Sequence, residues 1–157
     1  MSKNFLKKDS FIPRNAVACI LTLNNEYVVQ LRDDKPNIFF PSFWSLFGGE
    51  IEKNENPEDA LIREIYEEIN LRIKNKLKYF TSLKYDYSFC GLKEYYRKYY
   101  IYEINESTYS KLKLNEGQYF DKFDALTLLN KNNFVPYDSF VIWMHYKNNQ
   151  KNGKNLL

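Results

Sequence analysis

The sequence predicts a single domain of the α/β (α+β) class, and three observations predict it. The chain's 157 residues suit one domain and are too few for two comfortable ones. Hydrophobic residues make up 44%, enough for a real core. Strand-like segments flank one central helical pattern, and a second helical pattern closes the chain.

Each element has a local reason. Ala16 to Leu23 is apolar and partly β-branched, which suits a strand. Asn24-Asn25 supplies a two-residue turn tolerant of positive φ, and Glu26 to Arg32 returns with Tyr27, Val28, Val29 and Leu31 to complete a hairpin. Asp33 to Ser42, with Pro36 and Pro41, reads as a loop able to reach over a site. A short strand from Phe43 to Phe47 runs into Gly48-Gly49. Pro57 to Leu71 is the clearest helix. Asn56 can cap it, Pro57 fits its first position, and Glu58 and Asp59 favour the positive end of the macrodipole. Leu61, Ile62, Ile65 and Ile69 recur at helical spacing and define a stripe expected to be buried. Strand-like stretches follow at about Leu77 to Tyr87 and Tyr95 to Ile104. A polar link with Glu116-Gly117 leads to a short strand near Tyr119-Phe120 and an apolar segment from Ala125 to Leu129. Pro136 opens a last helix carrying Phe140, Val141, Trp143 and Met144, and the polar tail from Asn148 is expected to fray. The core of the domain is thus expected over about residues 14–147 of 1–157.

Composition narrows the function classes. A net charge of +3 is too small to argue for nucleic acid by itself, and no RNA-binding motif accompanies it. Cys19 and Cys90 lack metal-ligand spacing and suggest no disulfide framework; Cys19, in an apolar run, reads as a core residue. Met1 to Ser10 is polar, with no apolar core of signal-peptide length after it, and no stretch approaches a membrane span. A cytoplasmic protein without a membrane partner is the expectation.

Charge is unevenly distributed. Between Glu50 and Asn70 stand eight acids and two bases, a net of −6, which leaves about +9 on the rest of the chain. Within the helix, Glu64, Glu67 and Glu68 lie at i, i+3 and i+4 and so share a face. Three like charges so placed repel one another, and the ordinary reading is a solvated acidic face. The alternative is a hard cation holding them together, since Mg²⁺ takes carboxylate, water and phosphate oxygens.

The wider spacing decides between them. Gly49-x5-Glu55-x7-Arg63-Glu64-Ile65-x-Glu67-Glu68-x-Asn70-Leu71 resembles the Nudix box, Gly-x5-Glu-x7-Arg-Glu-U-x-Glu-Glu-x-Gly-U with U aliphatic, at eight of nine specified slots. The departure is Asn70 in place of Gly; Asn is the next best residue for a left-handed helix C-terminus. Trp44-Ser45-Leu46-Phe47-Gly48-Gly49 is similar to the family's Trp-x-Leu-Pro-Gly-Gly approach, with Phe47 replacing Pro. Downstream, the Leu114 to Gln118 segment, Phe120 and Val135-Pro136 resemble many bacterial members.

The resemblance implies the Nudix fold, a mixed β-sheet sandwiched between α-helices, and hydrolysis of a phosphoanhydride bond in a nucleoside diphosphate derivative. It implies Mg²⁺ as cofactor, with Mn²⁺ as a substitute. The Gly48 carbonyl and the carboxylates of Glu64, Glu67 and Glu68 would be metal ligands. Arg63 would orient the carboxylates, and Glu55 would brace the loop. Many members add a distal acid as ligand or general base; Glu116 is the candidate here, with Glu103 and Glu106 as alternatives. The carboxylate that activates water is taken as Glu64 or Glu116.

Substrate signals are weaker. Arg32 matches a position where relatives place a phosphate-contacting base, and Gly49 and Trp44 border the expected site. Phe39, Phe40 and Phe43 border it too and, like Trp44, are able to stack on a base, although core packing is the better reading for each ring alone. Tyr87 lies near the place of a tyrosine that marks the dinucleoside polyphosphate branch, a match easily met by chance among 14 tyrosines. His145, the sole histidine, sits at helical spacing with apolar residues and reads as structural. The expected partner is a small nucleotide-type molecule, and homodimers are frequent in the family. The competing readings are a nucleotide-sensing module on the same scaffold and a hydrolase of RNA 5′-ends or dinucleoside polyphosphates.

Overall fold

The computed structural model describes residues 13–151. In chain order it contains β1 (Ala16–Leu23), β2 (Glu26–Leu31), β3 (Trp44–Ser45), α1 (Pro57–Ile69), β4 (Lys78–Asp86), β5 (Glu94–Ile104), α2 (Glu106–Tyr109), β6 (Tyr119–Phe123), α3 (Ala125–Leu129) and α4 (Pro136–Lys151). The apolar run of β1 reflects its central place. Val17, Cys19, Leu21 and Leu23 face the cluster that includes Leu61, Ile65 and Ile69 of α1. Ala18 and Ile20 face the opposite cluster, with Leu128 of α3 and Val141 and Ile142 of α4. Covered on both sides, the strand needs no polar alternation.

The strands form a mixed sheet in the order β3-β2-β1-β5-β4, with β6 paired to β2. β1 and β5 run parallel, from Ala16 opposite Arg97 to Leu23 opposite Ile104; the other pairings are antiparallel. Helices on both faces give the predicted sandwich. One edge of β1 is shared: its second half pairs with β2, while its first half takes the segment leading into α1. There Val17 and Cys19 donate their N–H groups to the Gly49 and Phe47 carbonyls at 2.9 and 2.8 Å. Gly48 and Gly49 are thereby fastened to the middle of the sheet.

Several expectations change in detail. The strand predicted over Phe43 to Phe47 is regular only at Trp44–Ser45, because the chain then crosses from β2 to β1. The polar link contains the short helix α2, started by the Asn105 side chain accepting from Thr108 N–H. The Ala125 to Leu129 segment is helical, capped by Asp124. α4 continues through Lys151 rather than fraying at Asn148, with Gln150 donating to the Tyr146 hydroxyl at 2.7 Å. The predicted polar N-terminus, Met1 to Ser10, lies outside the described residues, as do residues 152–157. Cys19 is fully buried in the core, as expected. His145 is buried too, 2.8 Å from the Tyr27 hydroxyl and edge-on to the Tyr27 and Phe80 rings, a structural role.

Candidate functional site

The site is built on α1. Asn56 caps its start by accepting from the N–H groups of Glu58 and Asp59, both at 3.0 Å. Asn70 ends it in the left-handed conformation, φ 54°, ψ 28°, which is the backbone shape the sequence predicts for that slot. The last carbonyls of a helix lack partners within it. Here the 113–116 segment provides them: Lys113 N–H reaches the Ile69 oxygen, Asn115 N–H the Glu68 oxygen, and the Asn115 side chain the Glu67 oxygen.

The helix is rotated away from its own apolar stripe. About 60° to either side of Ile65 lie Ile62 and Glu68. Ile62, predicted to be buried, is 40% exposed, whereas Glu68 is 7% exposed. The rotation turns Glu68 into the fold, where Gln30 on β2 donates to one oxygen at 2.6 Å and Gly48 N–H to the other at 2.8 Å. Burial, with smaller contributions from Glu64 and Glu116, pushes the Glu68 carboxyl up to about 8 despite these two donors.

Arg63 organises the other carboxylates. Its five N–H groups meet five acceptors: both oxygens of Glu55 (2.9 and 3.0 Å), Glu64 (2.8 Å), Glu67 (3.1 Å) and the Glu50 carbonyl (3.0 Å). The guanidinium holds the Glu55 carboxyl below its ordinary range. Glu55 in turn accepts from Glu52 N–H at 2.9 Å, bracing the loop before the helix. Burial raises the Glu64 carboxyl, opposed by Arg63.

The two glycines differ in what surrounds them. Gly48 has φ +133°, and a Cβ there would meet the Val17 oxygen at 2.3 Å and Ala18 Cα at 2.8 Å. A Cβ on Gly49 would meet the Glu64 carboxylate at 2.4–2.7 Å. Phe47 and Gly49 give their carbonyls to β1, so by alternation the Gly48 carbonyl is directed off that ladder.

Gly48, Gly49, Glu64, Glu68, Glu116 and Arg32 line one cleft of about 540 Å³. Among the three candidates for a distal acid, Glu116 alone lines it. Glu103 sits opposite Thr22 in the β1–β5 ladder, and Glu106 pairs with Lys122 at 3.5 Å. Glu67, half-exposed, does not line the cleft; it stays on the Arg63 side. Trp44 does not line it either. Its ring packs edge-on against Phe123 and Tyr119, with the Lys131 ammonium over it, because β3 places it against the α3 side of the sheet. Of the phenylalanines, Phe39 lines the cleft, while Phe40 packs on Phe43 and Tyr137.

Sequence reasoning missed Gln30, Arg97, Tyr85, Tyr95 and Tyr137, which also line the cleft, and passed over Tyr87, which does too. A signal existed for Gln30, a polar residue between Val29 and Leu31 in β2. The others are far apart in sequence and carry no motif.

The oxygen donors suit a hard divalent cation. Glu68 adds a second reason: a carboxylate buried with two neutral donors gains from a positive charge beside it. Among the described residues, no group of three or more His, Cys, Asp or Glu side chains is already arranged to hold a metal ion. Arg63 holds Glu64 and Glu67 side by side through ion pairs at 2.8 and 3.1 Å. No helix among the described residues is long and apolar enough to cross a membrane.

Comparison with known proteins agrees with this architecture. A family model described as the NUDIX domain matches residues 12–151. The MutT protein from Methanosarcina mazei Go1 superposes with a TM-score of 0.69 at 14% identity, covering 88% of this chain and 99% of that one. A MutT NUDIX hydrolase from Burkholderia pseudomallei gives 0.66 at 15% identity, covering 84% and 97%. The NUDIX domain of Shewanella oneidensis NrtR, complexed with ADP ribose, gives 0.67 at 13% identity, covering 88% and 90%. At these identities the likeness is one of fold.

Proposed function

The chain belongs to the Nudix family, and from that premise we propose that it hydrolyses a phosphoanhydride bond in a nucleoside diphosphate derivative, using Mg²⁺. The observation that carries this reading is the meeting of Glu64, Glu68 and Glu116 with Gly48 and Gly49 in one cleft that also holds Arg32. Nucleotide-sensing modules on this scaffold usually lose carboxylates from the box. Here Glu64, Glu67 and Glu68 are all present, and Arg63 gives two of its five N–H groups to Glu64 and Glu67.

Glu64, Glu67, Glu68 and the Gly48 carbonyl are the proposed metal ligands. When bound, a divalent cation neutralises phosphate charge and makes water more acidic. The protein's own groups do the rest. Arg63 presets the spacing of Glu64 and Glu67, and the absence of a side chain at Gly49 leaves the Glu64 carboxylate its place. Gln30 and Gly48 N–H hold Glu68 in one orientation. Glu116, exposed at the cleft edge, is the proposed acceptor of the proton from the attacking water, with Glu64 as the alternative. Arg32, anchored through its Nε on the Phe39 carbonyl at 2.9 Å, is proposed to bind phosphate. The attack is in line, expelling the phosphate on the far side of phosphorus.

A substrate panel tests the proposal: nucleoside triphosphates, nucleotide sugars, ADP-ribose and dinucleoside polyphosphates with Mg²⁺ or Mn²⁺. Metal-dependent release of phosphate, pyrophosphate or a nucleoside monophosphate is expected from at least one. Tight binding without turnover of any would favour the sensor. Glu67→Gln should abolish turnover in a folded protein, and Glu116→Gln should lower it while Glu103→Gln does not.

A further inference from the structure

Strands β4 and β5 run on past the rest of the sheet. β1 begins at Ala16, opposite Arg97, whereas β4 and β5 still pair beyond it, Tyr85 with Tyr95 and Asp86 with Glu94. The ribbon closes through residues 87–93, and its tip exposes Phe89 at 83% and Leu92 at 38%. A two-stranded ribbon is marginal in water by itself, and rings left exposed at its end gain little from burial.

The rings form a row that leads out of the cleft. Tyr85, Tyr87 and Phe89 recur at every second residue. The Tyr85 and Tyr87 centroids are 6.3 Å apart at 26°, and those of Tyr87 and Phe89 are 6.3 Å apart at 36°. Tyr95, opposite Tyr85, meets Tyr87 at 6.1 Å. Tyr85, Tyr87 and Tyr95 line the cleft, and Phe89 lies beyond it. Exposure rises along the row, from the half-buried Tyr85 to the open Phe89.

Positive charge gathers in the same place. Residues 71–98 hold eight bases and two acids, a net of +6, which is two-thirds of the +9 outside the acidic segment. Lys93 sets its ammonium 5.7 Å from the Tyr95 ring and has no carboxylate partner among the described residues. Cations interleaved with a row of rings suit a single-stranded polynucleotide, whose bases stack on aromatic faces while its phosphates meet the charge. A second copy of this chain would instead bring the same positive ribbon against it.

We propose that the β4–β5 ribbon is a track for a single-stranded polynucleotide whose 5′ di- or triphosphate end enters the cleft, with Tyr87 and Phe89 stacking on bases that follow the first. Stacking takes RNA and DNA alike. The assignment rests on the reading of the cleft as a phosphoanhydride site, yet binding along the ribbon does not require turnover.

The test is fluorescence anisotropy of the intact protein, in chelator, with 3′-labelled uridine and deoxyuridine hexamers bearing a 5′ diphosphate. Displacing a bound hexamer should take about a hundredfold more UDP than unlabelled hexamer, the gain from two stacked bases. Phe89→Ala removes an exposed ring without touching the core, and should cut that ratio about tenfold. Tyr79→Ala is the control, since that ring is 53% exposed but meets Tyr100 away from the row. Binding of one hexamer alone upholds the track and names the sugar. Hexamers that bind no better than UDP, a ratio that Phe89→Ala leaves intact, or an equal loss in Tyr79→Ala overturns the proposal. Hydrolysis assays on the same samples separate the two readings. Metal-dependent turnover of mononucleotides with no gain for the hexamers refutes only the track, whereas hexamer binding without turnover of any substrate refutes only the hydrolase.

Discussion

Adding one methyl group at Gly49 should silence the site without unfolding the protein. The added Cβ would lie 2.4, 2.5 and 2.7 Å from Oε2, Cδ and Oε1 of Glu64, closer than real Cβ contacts come. Relief requires the carboxylate to retreat by about 1 Å, and a misplacement of that size at reacting groups is worth about 10²-fold in rate. The retreat is cheap for the fold, since only the end of a side chain moves and no positive φ is involved. Stability should change by about 1 kcal/mol or less, a shift in melting temperature of a few degrees at most. Gly48→Ala is the control one residue away. There the clash is with β1 backbone and φ is +133°, so about 3–5 kcal/mol should be lost, lowering the melting temperature by roughly 10 °C. Thermal melts and metal-dependent product release on both variants read the contrast. Gly49→Ala retaining wild-type kcat, or melting as low as Gly48→Ala, would refute the reasoning.

Three further outcomes are expected. Arg63→Lys cannot reproduce the fork that meets five acceptors; it should lose about 1–3 kcal/mol of stability and most of kcat, and full activity would sink the organising role. In chelator, the Glu68 carboxyl at about 8 against an ordinary 4.5 means that folding favours its protonated form. Its contribution is complete below the ordinary value and lost as pH rises through about 8, on the order of 5 kcal/mol. Denaturant titrations should therefore show stability falling over that range, with Glu68→Gln flattening the slope and Mg²⁺ at neutral pH releasing protons. A slope unchanged in Glu68→Gln would remove Glu68 as its source. Trp44→Phe should lower stability by about 1–2 kcal/mol through lost packing and cation–π contact while leaving KM unchanged, and a raised KM would return Trp44 to the cleft.

What the sequence disclosed follows from where the information is local. The spacing from Gly49 to Leu71 spans one loop and one helix, so the helix caps at Asn56 and Asn70 and the shared face of Glu64, Glu67 and Glu68 were legible directly. An apolar, partly β-branched run and the Asn24-Asn25 turn placed β1 and β2 within a residue or so. Helical periodicity could not reveal the rotation of α1, because burial of Glu68 depends on Gln30 from a distant strand. Trp44 was misread for the same reason: next to the glycines in sequence, it is carried to the other side of the sheet by its pairing with β2. The cleft-lining Tyr85, Tyr95 and Tyr137 come from β4, β5 and α4, and only the folded sheet brings those segments together.

The rotation of α1 has a consequence for how such a chain changes over generations. A leucine at 68 looks like a repair of a helix that exposes Ile62 and buries Glu68, yet it would strand the Gln30 amide and the Gly48 N–H, whose acceptors are the Glu68 oxygens. The fold and the proposed metal-binding role thus resist the same exchange, and drift at this position is held from two sides.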